Sequence, residues 1–292
     1  MPAPDDRTAV LLLHGFWHGS WCWTEVLARL TAAGVRALAV DMAGHGLRAS
    51  RPAALTRRPF AAEALAAEVS PVADVDLDQA GDLLVAQVKQ LGGGAPVTVV
   101  AHSMGGAVLT RAGQLAPELI AHAVYLTALM PASGVPPAAY VRMPENEGSR
   151  VGALPVGDAR ANGALRMDVA SPDPAYRAAV RETFYGDVDP VTAEAAIALL
   201  TPDAPVGISA GVTALTADGW GSIPRTYVVC APGTRRSRRP CSASSSPTRM
   251  PRSPPVRPPC ASSRRRTPPS CRCPVRSPAS CLTFFPDVRS LS

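Results

Sequence analysis

Short apolar runs alternate with stretches of helical spacing along most of this chain. The runs at 8–13 (TAVLLL), 35–40 (VRALAV), 97–100 (VTVV), 119–126 (LIAHAVYL) and 225–230 (RTYVVC) carry few polar positions. Runs of this kind suit strands covered on both faces, as in a parallel sheet. Between them the apolar spacing becomes helical, at 25–30 (ending at Gly34), around 60–69, and at 76–91. The last begins with acids, which favour a helix N-terminus, and stops at Gly92-Gly93-Gly94. Strand and helix in alternation predict an α/β fold with a mostly parallel, doubly wound sheet. From 132 to about 222 the strand rhythm is lost. Proline and glycine there punctuate helical patterns such as 174–184 and 191–200.

One stretch carries chemistry. Ala101-His102-Ser103-Met104-Gly105-Gly106 follows the run at 97–100 and precedes a helical pattern at 107–113. A serine on a sharp turn from strand to helix is the arrangement of a nucleophile elbow. Such a turn needs very small neighbours; Gly105 supplies one and Ala101 the other, one methyl away from the strict G-x-S-x-G pattern. The helix is expected to start at Ser103, which would bring unpaired N–H groups and the positive dipole end beside the hydroxyl. An ordinary glycine-rich loop gives a similar short pattern, so the upstream motifs carry weight. These are His14-Gly15 at the end of the first run and Asp41-Met42-Ala43-Gly44-His45-Gly46 after the second.

Composition changes this picture at the C-terminal end. The chain has 292 residues and a net charge of +6, but the charge is not spread evenly. Residues 231–292 hold 13 arginines, no lysine and one acid, Asp287, so they carry +12, and residues 1–230 carry −6. The body is a mildly acidic protein for which no nucleic-acid partner is expected. Its only cysteines are Cys22 and Cys230, which points to a reducing compartment without a disulfide framework. No leader pattern is seen at the N-terminus and no run of 18 apolar residues occurs, so a cytoplasmic protein without a membrane partner is expected.

Taken together, strand-His-Gly, D-x-x-G-H-G and A-H-S-M-G-G, in that order, resemble the α/β-hydrolase superfamily. The loop HGFWHGSWCW at 14–23 is similar to the branch that contains plant-type methylesterases and hydroxynitrile lyases. The resemblance covers residues 8–230. It implies an α/β-hydrolase core at 1–131, a helical cap at 132–222 that selects the substrate, and a returning core strand at 223–230. Phe184-Tyr185-Gly186-Asp187 is similar to a segment of such caps. The resemblance further implies Ser103 as nucleophile, the backbone N–H groups of Phe16 and Met104 as oxyanion hole, and Gly15, Trp17 and His18 against the substrate. His14 is read as shaping the loop that presents Phe16. No metal or cofactor is implied. Lyase members typically carry threonine at the position of Gly15, so glycine there fits the esterase side, with a small or medium carboxylic ester as substrate. Two other readings stand beside it: a lyase or other non-hydrolytic member, or a catalytically dead binding protein with a basic tail.

A serine hydrolase also needs a base and an acid to orient it. The family's histidine follows the last strand, yet the five histidines here are His14, His18, His45, His102 and His122. The family's acid follows the strand that ends at Cys230, where this chain reads Ala231-Pro232-Gly233-Thr234-Arg235. His18 as a substitute base and Asp218 as a displaced acid are the candidates left. Residues 231–292 hold 13 prolines, 13 arginines, 13 serines and five cysteines, a composition too polar and proline-rich to pack. They read as a disordered tail that costs the fold its closing strand and helix and leaves the strand at 225–230 as an exposed edge. A nucleic-acid-binding tail or a zinc site built on Cys260, Cys271, Cys273 and Cys281 are weaker readings. A shifted reading frame is the favoured one. Codons can be chosen for 230–246 such that removing two bases after the Cys230 codon gives C-T-R-D-A-A-I-P-P-A-L-Q-R-L-F-I, with an aspartate three residues past the strand.

Overall fold

The apolar runs form strands because each is buried from two sides. The computed structural model describes residues 8–146 and 149–230. Its elements in order are β1 (Val10–Leu13), α1 (Thr24–Ala32), β2 (Ala37–Val40), α2 (Ala62–Ala67), α3 (Leu77–Gly92), β3 (Val97–Ser103), α4 (Gly105–Leu115) and β4 (Ile120–Ala128). There follow α5 (Pro137–Val141), α6 (Ala159–Asn162), β5 (Ala164–Arg166), α7 (Pro174–Tyr185), α8 (Pro190–Ala198), β6 (Asp203–Pro205), α9 (Val206–Ala210) and β7 (Arg225–Val228). The five strands β2-β1-β3-β4-β7 form one parallel sheet in that order, as the alternation predicts.

Successive side chains on a strand point to opposite faces. Leu11 and Leu13 therefore join the larger core with Val97, Val99, Ala101 and Tyr125, while Leu12 joins Trp23, Leu30 and Leu126 on the other face. That division explains why β1 reads as an unbroken apolar run. α3 starts where the acids indicated. Asp76 caps it by accepting from the Gln79 N–H at 2.8 Å, the Gln79 side chain accepts from the Asp76 N–H at 3.1 Å, and Gly93 closes it in the left-handed region.

Three features differ from the expectation. The helix after the elbow begins at Gly105 rather than Ser103, because Ser103 itself stands in the left-handed region and Met104 is the N-cap. Segment 132–222 is not wholly helical. β5 and β6 pair antiparallel within it, Ala164 opposite Pro205 and Arg166 opposite Asp203. Two three-residue strands, one ending in proline, are too short to leave a periodicity. The same segment also shares the larger core, since Met167, Val180, Tyr185 and Ile197 belong to one apolar cluster with Leu11, Leu13 and Phe16. Among the described residues β7 pairs with β4 alone, and Tyr227 and Val229 are exposed by 46% and 76%. The tail at 231–292, with its disorder, zinc and reading-frame interpretations, lies outside the described residues.

Candidate functional site

The sheet reverses direction of growth between β1 and β3, so the loops leaving these strands frame a crevice at their carboxyl ends. Ser103 closes β3 there. Its φ of 53° is a conformation that non-glycine residues rarely adopt, and the turn around it leaves no room for larger neighbours. A methyl on Gly105 would stand 2.5 Å from the His14 carbonyl oxygen, and one on Gly106 would run into the Leu129 carbonyl. Gly15 approaches from β1: a methyl there would lie 2.7 Å from Ser103 Cβ, 3.1 Å from Ser103 Oγ and 3.4 Å from His102 Nδ1. Ser103 Oγ makes no hydrogen bond among the described residues. Phe16 and Met104 follow Gly15 and Ser103 directly and are both buried. Among the described residues neither donates its backbone N–H to a backbone acceptor. Unpaired backbone N–H groups are the kind of donor that a developing oxyanion requires.

The loop carrying Phe16 is fixed from below by His14. Its Nδ1 lies 2.6 Å from the Gly15 carbonyl, which can only accept, so the proton is on Nδ1. Nε2 then accepts from the Met42 N–H at 3.1 Å. Asp41 ties the same loop to the turn after β2, accepting from the Ser20 N–H at 2.6 Å and the Leu47 N–H at 2.9 Å. Burial alone would raise the Asp41 carboxyl, but these donors hold it below the ordinary range. His45 donates from Nδ1 to the Ala43 carbonyl at 2.9 Å and stacks on Phe16, ring centres 5.5 Å apart.

His18 is also fully engaged. Nδ1 donates to the Phe16 carbonyl at 2.9 Å, and Nε2 accepts from the Tyr185 hydroxyl at 3.0 Å. With both nitrogens occupied it has none to offer the Ser103 hydroxyl. Trp17 sits at φ 62°, is buried, and donates its indole N–H to the Leu165 carbonyl at 2.9 Å. His102 shares the neighbourhood of Gly15 with Ser103, but burial and the nearby His18 push it down to about 4, so it is a poor proton acceptor at neutral pH. His122 bonds Thr226 and is in register with Thr98, at the far end of β3 from Ser103. Asp218 is exposed, next to Gly219, which packs on Gln114 in the last turn of α4, the end remote from the elbow. Gly15, Ser103 and His102 are thus brought together, with Phe16 and Met104 next in the chain to Gly15 and Ser103, while His18 has both ring nitrogens engaged and Asp218 lies beside the remote end of α4.

Two features escaped the sequence. One is the Tyr185–His18 bond, whose only trace was the cap-like FYGD stretch. The other is a buried ion pair in which Arg166 Nε and Nη2 donate to Asp203 Oδ1 and Oδ2, each at 2.7 Å. Arg166 Nη1 also donates to the carbonyls of Leu65 and Glu68, and the Ser70 hydroxyl donates to Asp203. No metal-holding group of three or more His, Cys, Asp or Glu occurs among the described residues, and no helix among them is long and apolar enough to cross a membrane.

Four neutral histidines make the fold acid-sensitive. Burial pushes His14 down to about 3, and His18, His45 and His102 to about 4. In the unfolded chain each binds its proton near pH 6.5. Between these values the unfolded state holds more protons, so the stability is complete above about pH 6.5 and falls as pH drops toward 4. The expected slope is roughly 1.4 kcal/mol per pH unit for each such histidine. Urea midpoints measured at pH 7.5 and 5 check this, and equal midpoints would contradict the neutral cluster.

A model described as the alpha/beta hydrolase family matches residues 10–269. Esterase PIR7B of Oryza sativa subsp. japonica is 33% identical over 142 residues, 47% of this chain and 46% of that protein. Methylesterase 9 of Arabidopsis thaliana is 26% identical over 235 residues, 75% of this chain and 78% of that protein. The matches to the rice esterases span less than half of those relatives. Among solved structures, an extracellular α/β-hydrolase from a Paenibacillus species superposes with a TM-score of 0.53 at 21% identity, covering 76% of each chain. A pyrethroid hydrolase from Sphingobium faniae gives 0.54 at 21%, covering 75% of this chain and 76% of that one. At such identity the likeness concerns the fold.

Proposed function

Because the chain belongs to the α/β-hydrolase family, we propose that its site is that of a carboxylesterase working through an acyl-enzyme on Ser103. The substrate is a small or medium carboxylic ester. Ser103 Oγ attacks the ester carbonyl, the N–H groups of Phe16 and Met104 hold the oxyanion, and the alcohol leaves. Water then attacks the acyl-serine, restoring the hydroxyl and releasing the acid. The observation that carries this reading is the packing of Gly15 against a strained Ser103, with two free N–H donors alongside. The esterase names of the relatives in rice and Arabidopsis support it.

The chemistry of this chain stops short of a triad. His14 and His18 are engaged at both ring nitrogens and His122 is remote, while His45, bonded only through Nδ1, and His102 are held as weak bases by burial. Acyl transfer therefore rests on the nucleophile and the oxyanion hole, with water or buffer taking the proton. The lyase alternative is disfavoured by Gly15, which offers no side-chain hydroxyl to hold a substrate alcohol and packs close against Ser103. A panel of p-nitrophenyl esters, with a cyanohydrin beside them, tests the assignment. Slow ester turnover that Ser103→Ala abolishes is expected. Turnover that survives the substitution would remove Ser103 from the mechanism, and cyanohydrin cleavage without ester turnover would transfer the site to the lyases.

A further inference from the structure

The loop that presents Phe16 leaves β1 in the core, but its last ties are to segment 132–222. Three hydrogen bonds join three adjacent parts of it to that segment. The Tyr185 hydroxyl, at the end of α7, donates to His18 Nε2 at 3.0 Å. The Trp17 indole N–H donates to the Leu165 carbonyl on β5 at 2.9 Å, and the Thr201 N–H donates to the Trp17 carbonyl at 2.7 Å. The Thr201 hydroxyl in turn accepts from the Gly46 N–H at 3.0 Å, so the turn after β2 is drawn into the same junction.

The consequence for Phe16 follows from the direction of the donors. The Phe16 carbonyl can only accept, so His18 Nδ1 carries the proton and Nε2 offers a lone pair that only the Tyr185 O–H can fill. The Phe16 carbonyl thus sets the His18 tautomer, Tyr185 anchors the far side of the ring at Nε2, and the ring so held fixes the peptide between Phe16 and Trp17. The adjoining Phe16 N–H shares its α-carbon with that carbonyl, and the ring is held by stacking on His45. We infer that segment 132–222 sets the oxyanion donor of this site, Tyr185 acting through His18 as a positioning residue for the Phe16 N–H. The inference rests on the reading of Phe16 as an oxyanion donor. It makes the substrate-covering segment part of the catalytic geometry, so that loosening the cover also disperses the donor.

The test uses the full chain and Tyr185→Phe, which keeps the buried ring and removes only the hydroxyl, with His18→Ala and His18→Asn beside it. Two quantities are read: hydrogen exchange of the amides at 16–19, and acylation of Ser103 by p-nitrophenyl acetate in the presence of imidazole as external base. Tyr185→Phe should speed the exchange and lower the maximal acylation rate about tenfold, while the half-saturating ester concentration stays within about twofold. His18→Ala should do the same, and His18→Asn, whose amide N–H replaces Nδ1–H, should recover most of the loss. Exchange and acylation unchanged in Tyr185→Phe would overturn the inference, as would an effect confined to half-saturation. If the unsubstituted chain is not acylated at Ser103, the nucleophile reading fails. Exchange then decides the structural half alone, faster in Tyr185→Phe supporting it and unchanged overturning it.

Discussion

A chain continued from Cys230 with an aspartate shortly after β7 and a histidine further on, as we propose for a neighbouring reading frame, should turn over p-nitrophenyl butyrate on the order of 10⁴-fold faster than the chain as it stands. The gain comes from one proton. Ser103 is a weak nucleophile until a base takes its hydrogen, and the base must be oriented by an acid to keep the right tautomer. Here the neutral histidines around the elbow are committed to carbonyls, amide N–H groups and Tyr185, or lowered to about 4 by burial. A frame that supplies an aspartate shortly after β7 and a histidine further on would bring both missing groups to the carboxyl ends of the strands. The check is kcat/KM for the two chains side by side, each with its Ser103→Ala variant. Equal values would mean that a base within residues 1–230 already serves Ser103, with His102 as the first to substitute.

Arg166→Met should lower stability by about 3–5 kcal/mol, read as a fall in the urea midpoint. Arg166 and Asp203 are both fully buried, and the guanidinium meets the carboxylate through two parallel bonds. Removing the cation leaves Asp203 charged in the interior, with the Ser70 hydroxyl as its remaining donor, and strips the Leu65 and Glu68 carbonyls of theirs. That is a large part of the stability of an ordinary domain. The doubly apolar variant Arg166→Met with Asp203→Leu should regain much of the loss, because it leaves no unpaired charge. A single Arg166→Met with an unchanged midpoint would show that the pair contributes little. The effect also reaches the site, since β5 holds Trp17 through the Leu165 carbonyl.

Most of the core was legible in the sequence because its signals are local. Runs such as TAVLLL read as buried strands since both faces of β1 meet apolar neighbours, and Asp76 with Gln79 marks the start of α3. The elbow was legible because Ser103 and Gly105 lie within one turn, although the atoms that demand glycine there come from the end of β1 and from Leu129. What stayed hidden depends on pairs far apart in the chain. Arg166 in ALRMD carries no mark of burial until Asp203 faces it across the β5–β6 ribbon. His18 reads as a free polar residue near the substrate, and only the arrival of Tyr185, 167 positions later, engages its second ring nitrogen. The helix start was misjudged by two residues because the left-handed Ser103 interrupts the path from β3 into α4.

The most direct test of the site is to incubate the full chain with p-nitrophenyl acetate, with and without imidazole, and to map acetylated peptides by mass. One dominant acetyl group is expected on Ser103, formed faster when imidazole takes the place of the missing base and lost in Ser103→Ala. Acetylation confined to Lys89 or the α-amino group, or a Ser103 adduct absent at every imidazole concentration, would contradict it.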